Sequence, residues 1–299
     1  MDKMLSISDI KVELRQKIIL LLDRQINILP GDVVAVIGPN GAGKTTLINC
    51  IINQIPYQGT IHRHSDCERL GILFQDNSYG SLMKTKELIS IVTQKKLRDP
   101  NVSAMLSDFN LSNILNTRLG KISKGELQRL TLALLLYNKP ELLIFDELTT
   151  GLDYEKRMNL LQLVKNRTAC KTVITVTHYF EELNDWANKI LMLNEGRVVF
   201  WGTIQEFKEK KQHYSMILFR QDKRNKVLGF CKGKDIISAY EEDFDAIVTS
   251  SSKDESTLRE IFVKNNINFE MRQRDIYSSY CLILNEHNKS KNEKQTQNK

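Results

Sequence analysis

The chain has 299 residues, 41% of them hydrophobic and 26% charged, with a formal net charge of +7. That length supports one large or two modest domains with a real core, and the balance is that of a soluble globular protein. Apolar runs are too short to cross a bilayer, and the N-terminus lacks the apolar core of a signal peptide, so the expected location is the cytoplasm.

The five cysteines, Cys50, Cys67, Cys170, Cys231 and Cys281, are scattered and odd in number, which points to reduced thiols and neither a disulfide framework nor a zinc site. Basic and acidic residues are interspersed, and no basic run is interleaved with aromatics, so no nucleic-acid partner is expected.

In chain order, the first long aliphatic run is IILLL at Ile18 to Leu22, and DVVAVIG at Asp32 to Gly38 reads as a buried strand. GPNGAGKT follows, between that strand and the helical run TLINCIINQI, where the phosphate-loop pattern requires it. Its loop, Gly38, Pro39, Asn40, Gly41, Ala42 and Gly43, presents backbone amides to a phosphate from every residue except Pro39, which has no N–H. Lys44 reaches the outer phosphates and the Thr45 hydroxyl can ligate Mg²⁺. The loop implies a bound nucleoside triphosphate with Mg²⁺.

GILFQD, Gly71 to Asp76, is a further strand candidate that contains Gln75, and Tyr79 to Asn116 reads as mostly helical. ISKGELQRL opens another helix: Ser123 is placed to cap it and Glu126 to close a capping box, a pattern that starts many ordinary helices. That N-terminus, with Gly125, also suits a phosphate. The helix runs on through LQRLTLALLLY until Pro140 forbids more.

ELLIFDE, Glu141 to Glu147, is a buried strand ending in Asp146, which can hold Mg²⁺, and Glu147, which can orient or deprotonate water. KTVITVTH, Lys171 to His178, is another strand, with His178 at its end. KILMLNEGRVVFWGT reads as a hairpin turning at Asn194 to Gly196.

From about His213 the pattern changes to the short strand-like pieces SMILFR, FDAIVTSSS and INFEMRQR around one helix, STLREIFVKN. The expected organisation is therefore a domain over 1–212 with a helical subdomain at about 77–137, a small α/β appendage over 213–285, and a disordered tail over 286–299, where apolar residues are nearly absent.

The order GPNGAGKT, Gln75, ISKGELQR, LLIFDE, LTTGLD and His178 resembles the ATP-binding subunit of an ABC transporter over about Met4 to Thr203. The resemblance implies an α/β P-loop NTPase core and ATP hydrolysis. It assigns Gly38 to Thr46 to the Walker A loop, Gln75 to the Q-loop and the metal, and Ser123 to Glu126 to the signature that serves a nucleotide held by a second subunit. Asp146 and Glu147 become Walker B and the catalytic base, Asp153 the D-loop, and His178 the γ-phosphate sensor. The implied partners are a separate integral membrane permease and a second ATP-binding subunit, identical or related, on the cytoplasmic face of the membrane.

This sequence departs from the family at named positions. No aromatic residue precedes Tyr57 to stack on adenine, and Arg15 lies near the expected place, where a guanidinium can stack instead. Lys124 and Glu126 stand where the signature usually has Gly and Gln; the lysine resembles subunits that serve exporters of peptides, antibiotics or lipids. The competing readings are a soluble ABC-type ATPase acting on ribosomes or DNA, whose members carry two cassettes or a long coiled coil, and a regulatory nucleotide sensor, in which Glu147 would be superfluous.

Overall fold

The structure is a computed structural model that describes residues 3–63, 69–75, 79–231 and 233–297. Cys67, Asp76 and the first two residues of the expected helical subdomain lie outside these. The described cysteines Cys50, Cys170, Cys231 and Cys281 are free thiols. The chain forms two compact units, one comprising 1–37 and 43–188, the other 38–42 and 189–299.

The first unit begins with β1 (Leu5–Leu14), β2 (Lys17–Leu22) and β3 (Ile26–Ile28), followed by β4 (Val33–Ile37), α1 (Lys44–Ile51), β5 (Gln58–Arg63) and β6 (Leu70–Leu73). It continues with α2 (Thr85–Thr93), α3 (Pro100–Asp108), α4 (Lys124–Tyr137), β7 (Leu142–Asp146), α5 (Tyr154–Arg167) and β8 (Thr172–Val176). β1 pairs antiparallel with β2, β3 and β5. The IILLL run is thus a strand of this antiparallel portion.

β4, β8, β7 and β6 pair in parallel in that order. β4, β7 and β8 are buried along their whole length, which is why their sequences are mainly apolar without strict alternation of apolar and polar residues. Helices α2, α3 and α4 share a core with the sheet through Leu88, Ile89, Val102, Met105, Leu130 and Phe145. β6 stops at Leu73, shorter than the expected GILFQD strand, and Gln75 lies beyond its end.

The second unit contains β9 (Lys189–Asn194), β10 (Arg197–Thr203), α6 (Ile204–Glu209), β11 (Ser215–Arg220), α7 (Arg224–Phe230) and β12 (Ile236–Ser238). β13 (Phe244–Thr249), α8 (Ser252–Lys264), β14 (Phe269–Gln273) and α9 (Ile276–Gln297) complete it. β9 and β10 form the expected hairpin, with Glu195 and Gly196 at positive φ, the geometry of a two-residue turn. The later strands form an antiparallel sheet in the order β12-β13-β11-β14, giving a β-α-β-β-α-β arrangement. Its core is Ile217, Phe219, Val227, Ile247, Leu258 and Phe262.

The structure differs from two expectations. Where a disordered tail is expected from Glu286, α9 continues to Gln297. Its composition is too polar to build a core, but partners distant in sequence hold it: Lys211 to Glu286 at 2.6 Å, Lys289 to Asp235 at 3.1 Å, and Asn194 to Asn288 at 3.0 Å. The units divide after Asn188 and not after Gln212, and within the second unit the Asn194–Asn288 bond ties the β9–β10 hairpin to α9.

Candidate active site

Lys44, Gln75, Asp146, Glu147 and His178 all stand at or just beyond the C-terminal ends of parallel strands, where an open α/β sheet gathers its ligand contacts. The backbone needs glycine in the loop that leaves β4. Gly38 has φ 154°, and a side chain there would run into the Leu193 carbonyl. Gly41 and Gly43 have φ of 76° and 97°. Gly43 occupies the N-cap position of α1 and makes no side-chain cap, so capping does not consume the first amides of the helix. The outer turn is closed by Ala42 N–H donating to Pro39 O at 3.1 Å, and Gly196 N–H donates to Ala42 O at 3.1 Å.

Lys44, the first residue of α1, is 7% exposed. Burial pushes its ammonium pKa down, against the pull of Glu147 and Asp146. Asp146 is 6% exposed, and burial and then the neighbouring Glu147 push its carboxyl up, against Lys44, His178 and the Thr45 hydroxyl that bonds to it. The Thr45 hydroxyl, the Asp146 carboxylate and the Gln75 amide are hard oxygen donors of the kind that Mg²⁺ takes, with one carboxylate and the rest left to phosphate and water.

Glu147 leaves β7 with φ 54°, a strained value for a non-glycine residue. Its N–H donates to Val176 O at 3.0 Å and its carbonyl accepts from Thr150 N–H at 3.1 Å. Three side chains hold its carboxylate: Gln75 Nε2 donates at 2.8 Å, the Thr150 hydroxyl at 3.1 Å, and His178 Nε2 lies 2.7 Å away. Thr150 had no role in the sequence-based expectations, although the pair Thr149–Thr150, separated by Leu148 from the strand-end Glu147, is a readable sign of hydroxyl support.

Ser123 caps α4 as expected. Its hydroxyl accepts from Glu126 N–H at 3.3 Å, while Ser123 N–H and Oγ each lie 2.8 Å from Glu126 Oε2. Those bonds hold the Glu126 carboxyl below the usual carboxylate range. Gly125 is buried, with Leu152 and Lys156 beside it, and Lys124 lies against Gly151. Farther along α4, Gln128 Nε2 donates to the Leu148 carbonyl at 2.9 Å. Asp153 is the N-cap of α5, bonded to Lys156. Arg15 stands apart from the Gln75, Glu147 and His178 side-chain cluster in sequence and role, exposed in the two-residue turn between β1 and β2 with φ 48°.

The sequence profile of the ABC transporter family matches residues 21–150. The chain is 30% identical over 208 residues to the zinc uptake system ATP-binding protein ZurA of Listeria monocytogenes, covering 62% of this chain and 78% of that protein. This chain belongs to the ABC transporter ATP-binding subunits.

As such a subunit it binds ATP and is an ATPase. It is also 27% identical over 207 residues to the ABC transporter ATP-binding protein NatA of Bacillus subtilis, covering 64% of this chain and 84% of that one. A solved structure described as the ATP-binding subunit of an ABC transporter shares the fold, with a TM-score of 0.60 and 22% identity over 69% of this chain and 92% of the other. Among the described residues no helix is long and apolar enough to cross a membrane.

Proposed function

We propose that this ABC subunit hydrolyses ATP to drive a separate membrane permease, pairing with itself or a related subunit on the cytoplasmic face of the membrane. The observation that carries the chemistry is the Glu147 carboxylate, gripped by Gln75, Thr150 and His178 beside the buried Lys44 and Asp146. A carboxylate so fixed can take the proton of an attacking water, while His178 reports on the phosphate that the water attacks.

In this reading Gly38 to Thr46 cradle the phosphates, with Lys44 as their cation. Thr45, Asp146 and Gln75 supply oxygen ligands to Mg²⁺, which neutralises phosphate charge when bound. Ser123 and Gly125 serve the nucleotide of the partner subunit through the amides and dipole at the start of α4. Arg15 takes the place of an aromatic against the base.

For the permease, Leu82 is the favoured contact among Tyr79, Leu82 and Met83. It is 77% exposed, whereas Tyr79 donates to Thr131 Oγ1 at 3.2 Å and Met83 packs on the helical core. Export of a peptide, antibiotic or lipid rests on Lys124, and the interspersed charges support a role without nucleic acid. Copurification of the full chain from membranes, with identification of what comes with it, tests the assignment. A multi-span permease is the expected companion, and a ribosomal or DNA complex without one overturns it.

A further inference from the structure

Behind Glu147 and His178 lies a carboxylate that the chemistry above does not use. Glu182 sits in the short helical turn Phe180–Leu183 and is 4% exposed. Its Oε1 accepts from the Thr149 hydroxyl, and its Oε2 accepts from the Thr177 hydroxyl at 2.8 Å. The Arg157 guanidinium lies 4.0 Å from Oε1 and is itself held by Glu181 at 3.1 Å and by the face of Tyr179, 3.9 Å from the ring centroid.

What makes this grip informative is where its two threonines stand. Thr149 follows Glu147 by two residues, and Thr177 immediately precedes His178. One buried carboxylate therefore fastens together the two chain segments that carry the Glu147 carboxylate and the His178 imidazole. A buried carboxylate is costly to desolvate, and an apolar residue of similar volume would fill the space without that cost. Packing alone does not call for it. The directional bonds do something that an aliphatic side chain would not: they hold the segment just after Glu147, whose positive φ persists only if its surroundings over-determine it.

We propose that Glu182 is a positioning residue for ATP hydrolysis, locking Thr149 to Thr177 so that Glu147 and His178 keep the separation that hydrolysis needs. The inference rests on the reading of Glu147 as the base.

The test compares Thr149→Val, Thr149→Ser, Glu182→Gln and the double variant Thr149→Val/Glu182→Gln in the full chain, with Glu147→Gln as control. Turnover, KM, equilibrium ATP affinity and thermal stability are all measured. A catalytic group displaced by a fraction of an ångström to an ångström loses roughly tenfold to a hundredfold in rate. Thr149→Val and Glu182→Gln are expected to lower kcat by about that factor, with KM and ATP affinity within about twofold of the parent. Thr149→Ser, which keeps the hydroxyl, should restore most of the turnover, and the double variant should be no slower than the slower single one.

Wild-type kcat in the folded Val variant overturns the proposal. So does a parallel loss of kcat, affinity and stability that serine does not rescue, which would mark a purely structural role. Should Glu182→Gln fail to fold, the Val and Ser pair at Thr149 decides alone. Retained turnover in Glu147→Gln overturns the underlying reading and this inference with it; lost turnover there with normal Thr149→Val removes only the inference.

Discussion

His178 Nε2 lies 2.7 Å from Glu147 Oε1, while the other carboxylate oxygen of Glu147 accepts from Gln75 and Thr150. Both oxygens are thus committed to donors contributed from beyond the ends of three different strands. Replacing Glu147 by Gln keeps the shape but removes the group that can accept a proton. Hydrolysis is expected to fall by on the order of 10² or more while ATP binding stays near the parent level, as read from single-turnover rates and equilibrium binding. Near-normal hydrolysis with the partner present would take Glu147 out of the role of base.

The capping box at the start of α4 gives a stability prediction with a definite pH sign. Loss of an N-cap hydroxyl costs about 1 kcal/mol, so Ser123→Ala is expected to lower the thermal midpoint. Glu126 has its folded pKa depressed by the Ser123 amide and hydroxyl. Its contribution is therefore fully present above the unfolded carboxylate value of about 4.3 and is lost as pH falls through the lower folded value. The stability gap between the parent and Glu126→Gln should be visible at neutral pH and close in that acid window. A gap that widened in acid would contradict the sign.

A third prediction concerns Asn288, in the part of α9 whose composition reads as disordered. Its side chain bonds at 3.0 Å to Asn194, which is 4% exposed. Asn288→Ala leaves a buried amide without that partner and is expected to cost roughly 1–3 kcal/mol in unfolding experiments. By contrast, Lys291 pairs with Glu195 at an exposed position, and Lys291→Ala should change stability by less than about 1 kcal/mol. Equal, negligible effects would mean that the helix end does not hold the hairpin.

Arg15 leads to a prediction about base selectivity. It sits in the β1–β2 turn with Leu14 beside it 63% exposed, so that turn offers a guanidinium and an aliphatic surface for the contact with the base proposed above. Stacking reads the face of a base and not its edges. Competition binding is expected to show weak discrimination between ATP and GTP, and Arg15→Ala should weaken both alike. A strong preference for ATP would mean that another group reads the adenine.

What could be read from the sequence was what is contiguous. The phosphate loop, the Asp146–Glu147 strand end, the Ser123 box and the Asn194–Gly196 turn each carry their signal within a few residues, because each is a local solution to backbone geometry. The grip on Glu147 was only partly legible, since Gln75, Thr150 and His178 are brought together by the parallel strand order. Glu182 was invisible for the same reason: its partners Thr149 and Thr177 lie on separate strand ends. The helical character of the tail was missed because its stabilisation comes from distant partners such as Lys211 and Asn194 and not from its own apolar content.

The last prediction asks whether the start of α4 serves a phosphate in its own chain or across a dimer. The Glu126 carboxylate is held back on the Ser123 amide and hydroxyl, which limits its repulsion of an incoming phosphate. A Lys44→Ala subunit lacks the phosphate-loop cation but keeps Ser123, and a Ser123→Arg subunit has the reverse defect. Each homodimer then carries two damaged sites. In the mixed dimer the loop of the Ser123→Arg chain faces the α4 start of the Lys44→Ala chain, which rebuilds one composite site and leaves the other doubly defective. Partial recovery of ATP hydrolysis on mixing is the expected result for a chain that pairs with itself and works with one site. If labelled subunits are seen to exchange and activity still does not return, the trans arrangement with one sufficient site is wrong; a Ser123→Arg defect in monomer nucleotide affinity would place the helix in cis.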